Sequence, residues 1–557
     1  MRNDNGAGSA DDGSGQHMRS VEDGHIWEDD MSSWINLRQA FMAGRVSRRD
    51  FLAAATAMGA ATAAVSLLGT GPARADTPKK GGTLRLGLAG GSTTDSWDPR
   101  GYTEIVMITL GSQVFNSFIE YDADRRAQPD LLESWEVKPG ATEWILNVRK
   151  GVTFHDGKTL DVDDIIYSLN LHRGDSSSAM VGQMKHVQDV VKSGDSQVKV
   201  TLSRPDAEFI YLLGDYHMKV VPNGFKDWSK PIGTGAFKAD SFSPGINARV
   251  VKNANYWRSD RGFVDAVETT VINDTAVRMN ALVGGQVDII NRAGKTSVDL
   301  LTQTPGFKLE DAPTGWHAIM AARVDQAPFS DPNLRLALKY AIDREAFLKI
   351  LFNDYGTVGN DHPIPKNDPY FNSELPQIKF DADKAKFYLK KANIGGATIQ
   401  LTASDAAYEG AVNAAALYQA SAAKAGISMS IKREPVDGFW DNAWLKRPFC
   451  GSYWAGRATA LQMLSVAYKS DADWNETGWK NPAFDKLLAD AAGELDEAKR
   501  KTYLWDAQKM LHEDGGAVIP VFSNVLEAHT DKVKGYRVGG VDELFNGRVT
   551  EFAWLDS

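Results

Sequence analysis

Past residue 80 the chain alternates between two rhythms of apolar and polar positions. In Thr83-Leu84-Arg85-Leu86-Gly87-Leu88 the leucines fall at every second position, the period of a strand with one buried face. Trp144-Ile145-Leu146-Asn147-Val148-Arg149 repeats that alternation, and Lys150-Gly151 ends it. The helical rhythm follows. Asp161 reads as an N-cap with Asp164 in the first turn, where a carboxylate suits the helix dipole, and Ile165, Ile166 and Leu169 supply an apolar face. Asp331-Pro332 is a second helix start, with Leu334, Leu338, Ala341 and Ile342 at helical spacing. Further helices are predicted from Asp383, Ala411 and Glu497, and strands over 397–402, 428–432 and 517–522. No repeat or Pro/Ser-rich seam divides this mixed chain, so its domains should be knitted together by several crossings. The class is α/β.

The first 75 residues follow neither rhythm. Residues 1–46 form a Gly-, Asp- and Ser-rich leader with the composition of a disordered segment, relieved by a short amphipathic stretch around Trp34–Phe41. Ser47-Arg48-Arg49-Asp50-Phe51-Leu52 then precedes an Ala-rich apolar run to Gly69 and an Ala73-Arg74-Ala75 cleavage pattern. Residues 47–75 therefore read as a twin-arginine signal peptide, with the mature chain beginning near Asp76. A membrane anchor is the rival reading, but alanine and glycine make the run weakly lipophilic. No cysteine stands at the end of the run, so no lipoprotein anchor is expected. The expected product is soluble and periplasmic.

Composition narrows the function. The 557 residues are 43% hydrophobic and 24% charged, which excludes a collagen-like, coiled-coil or wholly disordered chain. A net charge of −10 argues against nucleic-acid binding. Cys450 is the single cysteine, so neither an intramolecular disulfide nor a Cys-rich zinc site is available. The chemistry of enzymes is missing too. G-x-S-x-G and H-E-x-x-H are absent, and the ten histidines are scattered. Asp163-Asp164 reads as solvated helix surface and Cys450 as a small buried hydrophobe. The Gly90-Gly91-Ser92 loop matches no phosphate-binding pattern. No catalytic residue, metal or cofactor is expected.

Several separated segments carry a family resemblance: Gln113-Val114-Phe115-Asn116, Pro129-Asp130-Leu131-Leu132-Glu133-Ser134-Trp135, Leu146–Gly157, Pro231-Ile232-Gly233-Thr234-Gly235-Ala236-Phe237, Asn253-Ala254-Asn255-Tyr256-Trp257, Leu282–Asp288, Pro328–Asp331, Ala341-Ile342-Asp343-Arg344 and Asn481-Pro482-Ala483-Phe484-Asp485. In this order they resemble the peptide/nickel (dipeptide/oligopeptide-binding) family of extracytoplasmic solute-binding proteins of bacterial ABC importers, over essentially all of residues 80–557. Most of these motifs read as structural. Gly233-Thr234-Gly235 suggests a tight turn between strands and Tyr256-Trp257 suggests core packing.

The resemblance implies a two-lobed periplasmic-binding-protein fold, type II in its large form, with an extra inserted domain. Lobe I would take residues 76–120, 231–315 and 520–557, the inserted domain 121–230, and lobe II 316–519. A small molecule or short peptide would bind between the lobes of a monomer and be delivered to ABC permease subunits. The rivals are an exported hydrolase, or a sensor or chaperone on the same fold.

By the same resemblance the site would draw on Trp440 and Gly451–Arg457 of lobe II. Dipeptide and oligopeptide receptors carry a Trp there, followed shortly by an Asp for the peptide's amino group. Here Trp454 is present, but Gly456-Arg457 stands where the acid is expected. A guanidinium repels an ammonium and offers a planar fork to a carboxylate, phosphate or sugar hydroxyl. Tyr453 and Trp454 would wall the pocket, Asp95 and Trp97 would reach it from lobe I, and Trp316 and His317 lie near the presumed hinge. The arginine shifts the expected cargo from ordinary peptides toward acidic or sugar-like solutes such as opines. The family's nickel branch makes metal cargo conceivable, without a ligand set here to hold it.

Overall fold

The computed structural model describes residues 77–295, 298–394, 396–435 and 438–556. The leader, the twin-arginine motif and the cleavage pattern lie outside the described residues. The strand expected at 83–88 forms at Thr83–Leu88, with all three leucines fully buried. It is central to a seven-stranded mixed sheet, flanked in parallel by Ala266–Val271 and Ile289–Ile290. Asn247–Lys252 and Phe237–Ser243 extend one side, and Val525–Thr530 and Phe307–Ala312 the other. Helix Ile105–Val114 is buried at every position against this sheet and the C-terminal segment, so its sequence is apolar nearly all round.

The second sheet has six strands in the order Gly356–Val358, Ala517–Ser523, His317–Ala322, Phe449–Trp454, Ile399–Ala403, Met429–Arg433. Helices Pro332–Ala341, Ala411–Lys424 and Glu497–Asp514 pack on it. A third, four-stranded antiparallel sheet runs Leu132–Val137, Glu143–Val148, Gln197–Leu202, Val187–Gly194 around its own core of Trp144, Leu146, Val198 and Phe209.

Several expectations shift. The helix predicted from Asp383 starts at Ala382, because Asp381 is the cap and accepts from the Lys384 N–H. The strand predicted from 397 starts at Ile399, since Ala397 N–H closes a turn onto Ile394 O. Asp164 is not solvated surface. It is fully buried, completes the capping box with Asp161 and pairs with Lys158 at 2.6 Å. Gly233 and Gly235 do not turn between strands either. They lie against the end of helix Ile105–Val114, where a Cβ on Gly233 would sit 2.1 Å from Val114 O and one on Gly235 2.4 Å from Gln113 O. Gly235 N–H donates to Val114 O at 2.9 Å. Tyr256 and Trp257 do pack against the cores of the first sheet and the four-stranded sheet, but from a partly buried position in which both also bond Asn116.

The two large sheets are joined by paired crossings. Strand Phe307–Ala312 leaves the first sheet and His317–Ala322 enters the second, while the return passes from Ser523 to Val525. Ser523 N–H donates to Trp316 O at 3.0 Å, and Thr314 Oγ1 donates to Ser523 O at 3.3 Å. The crossings thus hold each other. The four-stranded domain touches the second sheet's layer as well. Ala207 N–H donates to Ala492 O at 2.6 Å, and Glu208 faces Arg500 at 3.6 Å. Arg125, left-handed at φ 63°, donates to Gly540 O and faces buried Asp368 at 3.7 Å.

Candidate functional site

A cavity of about 2170 Å³ lies where the two sheets, the crossings and the four-stranded domain meet. Its aromatic wall is built around the crossing. Trp316 stacks on Tyr453 with centroids 5.7 Å apart and planes at 21°, and meets Tyr408 edge-on at 5.4 Å. Phe352 closes the wall, and Lys295 Nζ lies 4.3 Å above its ring while donating to Ser523 Oγ. Burial pushes the Lys295 pKa down to about 8. Strand pairing places Tyr453 here, because His317–Ala322 runs antiparallel to Phe449–Trp454.

Arg457 borders the same cavity directly after that strand. Its Nη1 donates only to the carbonyls of Ala455 and Gly456, at 3.1 and 3.0 Å, and its guanidinium lies 5.6 Å from the Trp454 ring. Among the described residues no carboxylate pairs with it. The acid that acts on it, Asp215, is bound by His217 Nδ1 at 2.6 Å. His217 Nε2 in turn faces Tyr102 O at 2.8 Å, and Tyr216 packs on the imidazole. Burial lowers the Arg457 pKa from its ordinary value, opposed by Tyr216 and Asp215.

The opposite wall comes from the C-terminal segment, through a turn that sequence reasoning missed. Leu544, Phe545 and Asn546 are all left-handed, at φ 51°, 54° and 61°. This conformation costs L-residues roughly 1–2 kcal/mol each. Buried Glu527 holds it by accepting from Leu544 N–H and Tyr536 OH, and Asn546 Oδ1 accepts from the N–H groups of Val541 and Asp542. The turn brings Asp542, Glu543, Asn546 and Arg548 to the cavity. Only Asn546-Gly547 hinted at a turn in the sequence, and nothing there pointed to three consecutive left-handed residues.

Of the expected site residues, Trp316, Tyr453 and Arg457 line the cavity together. The others lie elsewhere. Trp97 is 3% exposed in the core of the first sheet, 5.1 Å from Phe242. Asp95 folds back to accept from Ser92 N–H at 2.8 Å and does not border the cavity. His317 is wholly buried mid-sheet, its Nδ1 3.0 Å from Gly315 O, and burial pushes its pKa down to about 4. Trp454 alternates away from Tyr453 into the core, where its indole and that of Trp444 donate to buried Glu476 at 2.5 and 2.9 Å. Trp440 is partly exposed and meets Tyr453 edge-on at 5.9 Å without reaching the cavity. The lining residues not foreseen include Phe352, Tyr408, Lys295, Tyr216, Lys219 and Arg548.

Among the described residues no group of three His, Cys, Asp or Glu is placed to hold a metal ion, and no helix is long and apolar enough to cross a membrane. The cavity walls are aromatic and charged, with Arg457, Lys219 and Arg548 among the cations and Asp215, Asp542 and Glu543 among the acids. Residues 126–476 match the model of the bacterial extracellular solute-binding proteins, family 5 (middle). The chain belongs to this family. It is a binding protein and not an enzyme, which sets the hydrolase reading aside.

Relatives of this solute-binding protein match most of its length. The dipeptide-binding protein of Escherichia coli (strain K12) is 25% identical over 524 residues, covering 83% of this chain and 96% of its own. Two solved structures share the two-lobed fold. DppA of Helicobacter pylori, in complex with the peptide STSA, has a TM-score of 0.72 at 21% identity, covering 86% of this chain and 99% of its own. AgaA of A. tumefaciens R10, in complex with agropinic acid, has a TM-score of 0.71 at 23% identity, with the same coverage.

Proposed function

We propose that this solute-binding protein captures a small carboxylate-bearing solute, a short peptide or an opine-like amino acid conjugate, and delivers it to an ABC permease. The observation that carries the reading is Arg457: a cation on the cavity wall, without an ion-pair partner among the described residues, beside the aromatic pair Trp316 and Tyr453. An arginine fork binds a carboxylate through two parallel hydrogen bonds, and stacked rings desolvate the rest of the solute. The names of relatives span this range, with dipeptides, glutathione and agropinic acid all represented.

Binding is a population shift, in which contacts to both lobes stabilise closure about the paired crossings. The lobes comprise residues 76–120, 231–315 and 520–557, and 316–519, with 121–230 inserted. The protein acts as a monomer and leaves the cytoplasm by the twin-arginine route.

The test is a thermal-shift screen of the purified protein against dipeptides, glutathione, agropinic acid, neutral sugars and nickel. A ligand at about 100 times its Kd adds about 2.7 kcal/mol of stability. Shifts confined to carboxylate-bearing solutes are expected. A response to neutral sugars or nickel alone would overturn the reading.

A further inference from the structure

Lys219 is 4% exposed, yet its Nζ reaches only two hydroxyls, Ser112 Oγ at 3.2 Å and Ser117 Oγ at 3.1 Å. An ammonium carries three N–H donors, so one is left over. Arg548 adjoins it electrostatically and is also buried, with Nη1 lacking any partner. Both side chains border the cavity. The ion pairs around them do not balance. Arg258, Arg261 and Arg548 engage Glu120, Asp130 and Glu551 in a closed network, and the further acid that acts on Lys219, Asp215, is bound by His217, so among the described residues Lys219 has no ion-pair partner of its own. A buried charge without a counter-charge is costly unless a ligand supplies one. The left-handed turn adds Asn546, whose Nδ2 is likewise unbonded. Backbone strain of this kind persists where it positions a ligand contact.

We propose that Lys219, Arg548 and Asn546 form an inner anion pocket opening off the cleft, and that it takes a carboxylate of the solute separate from the one facing Arg457. The cargo class becomes a solute with two anionic groups. That identity rests on the proposed function above, whereas the pocket itself does not.

The test therefore uses acetate alone. Sodium acetate is titrated into the whole purified protein at an ionic strength held constant with sodium chloride, and thermal unfolding is followed. A saturable rise in midpoint is expected for the wild type and for Lys192→Met, which removes an exposed lysine. Lys219→Met in an Arg457→Ala background is expected to lose the rise that Arg457→Ala alone retains, and the midpoint of Lys219→Met without acetate should not fall below the wild type's, because it removes the surplus charge. Should Lys219→Met not fold, Lys219→Gln, which still reaches the serine hydroxyls, gives the same readout. No acetate response in the wild type, or a response that survives when the Lys219 and Arg457 substitutions are combined, overturns the pocket. If Arg457→Ala alone removes the response, the pocket is refuted while the role proposed for Arg457 stands.

Discussion

Gly315, in the crossing between the sheets, and Gly456, beside Arg457, pack backbone against backbone. A Cβ on Gly315 would lie 2.6 Å from Gly456 Cα, and one on Gly456 would lie 3.0 Å from Gly315 Cα. The loop that carries Arg457 is therefore seated directly on the crossing. Gly315→Ala should push that loop away at a cost of about 1–3 kcal/mol, the usual price of overpacking. A lower unfolding midpoint together with weaker solute binding is expected. Wild-type affinity in the variant would show that the loop's position does not matter.

Removing the Arg457 guanidinium tests the site itself. Arg457→Ala should weaken a carboxylate-bearing ligand by about 1.5–3 kcal/mol, the worth of a charged hydrogen bond. Arg457→Lys should recover only part of this, since an ammonium lacks the planar fork. Calorimetry with the strongest ligand of the thermal-shift panel measures both. Unchanged affinity removes Arg457 from the contact set.

Glu208 sets a pH dependence. Burial raises its carboxyl from an ordinary 4.5 to about 7, so the folded chain holds this proton over a range where the unfolded chain releases it. The stability it confers is complete below about pH 4.5 and is lost as the pH rises through 7, a span of about 3 kcal/mol. Urea unfolding at a series of pH values should show that decline in the wild type. In Glu208→Gln the curve should be flatter between pH 4.5 and 7.

The Asp343-Arg344 motif has a structural explanation in a buried pair. Arg344 Nη2 reaches both oxygens of Asp361 at 2.7 and 2.6 Å, and Asp361 also accepts from Ile519 N–H. Both side chains are within 3% of full burial. Asp361→Ala leaves an unpaired buried guanidinium and should lose about 3–5 kcal/mol. Denaturant midpoints check this, and a loss under 1 kcal/mol would mean that water reaches Arg344.

Much of the scaffold was legible because its signals are local. The three leucines of Thr83–Leu88, the Asp331-Pro332 start and the Asp161 cap each act within a few residues. The site was less so. Trp454 and Tyr453 are neighbours on one strand and must point to opposite faces, but the sequence does not say which face meets the cleft. Trp97 and His317 lie close in sequence to segments that border the cavity, yet the packing of the sheets buries both. Lys219 and Arg548 are 329 positions apart and meet only through the fold.

The contacts of Ala207 with Ala492, Glu208 with Arg500 and Arg125 with Asp368 bear on time as well as strength. Glu208 and Ala492 border the cavity away from the aromatic wall. If release requires this clasp to open, the lifetime of the complex can be long even for a solute that is only modestly gripped. Loosening the clasp would shorten that lifetime without altering which solutes are chosen.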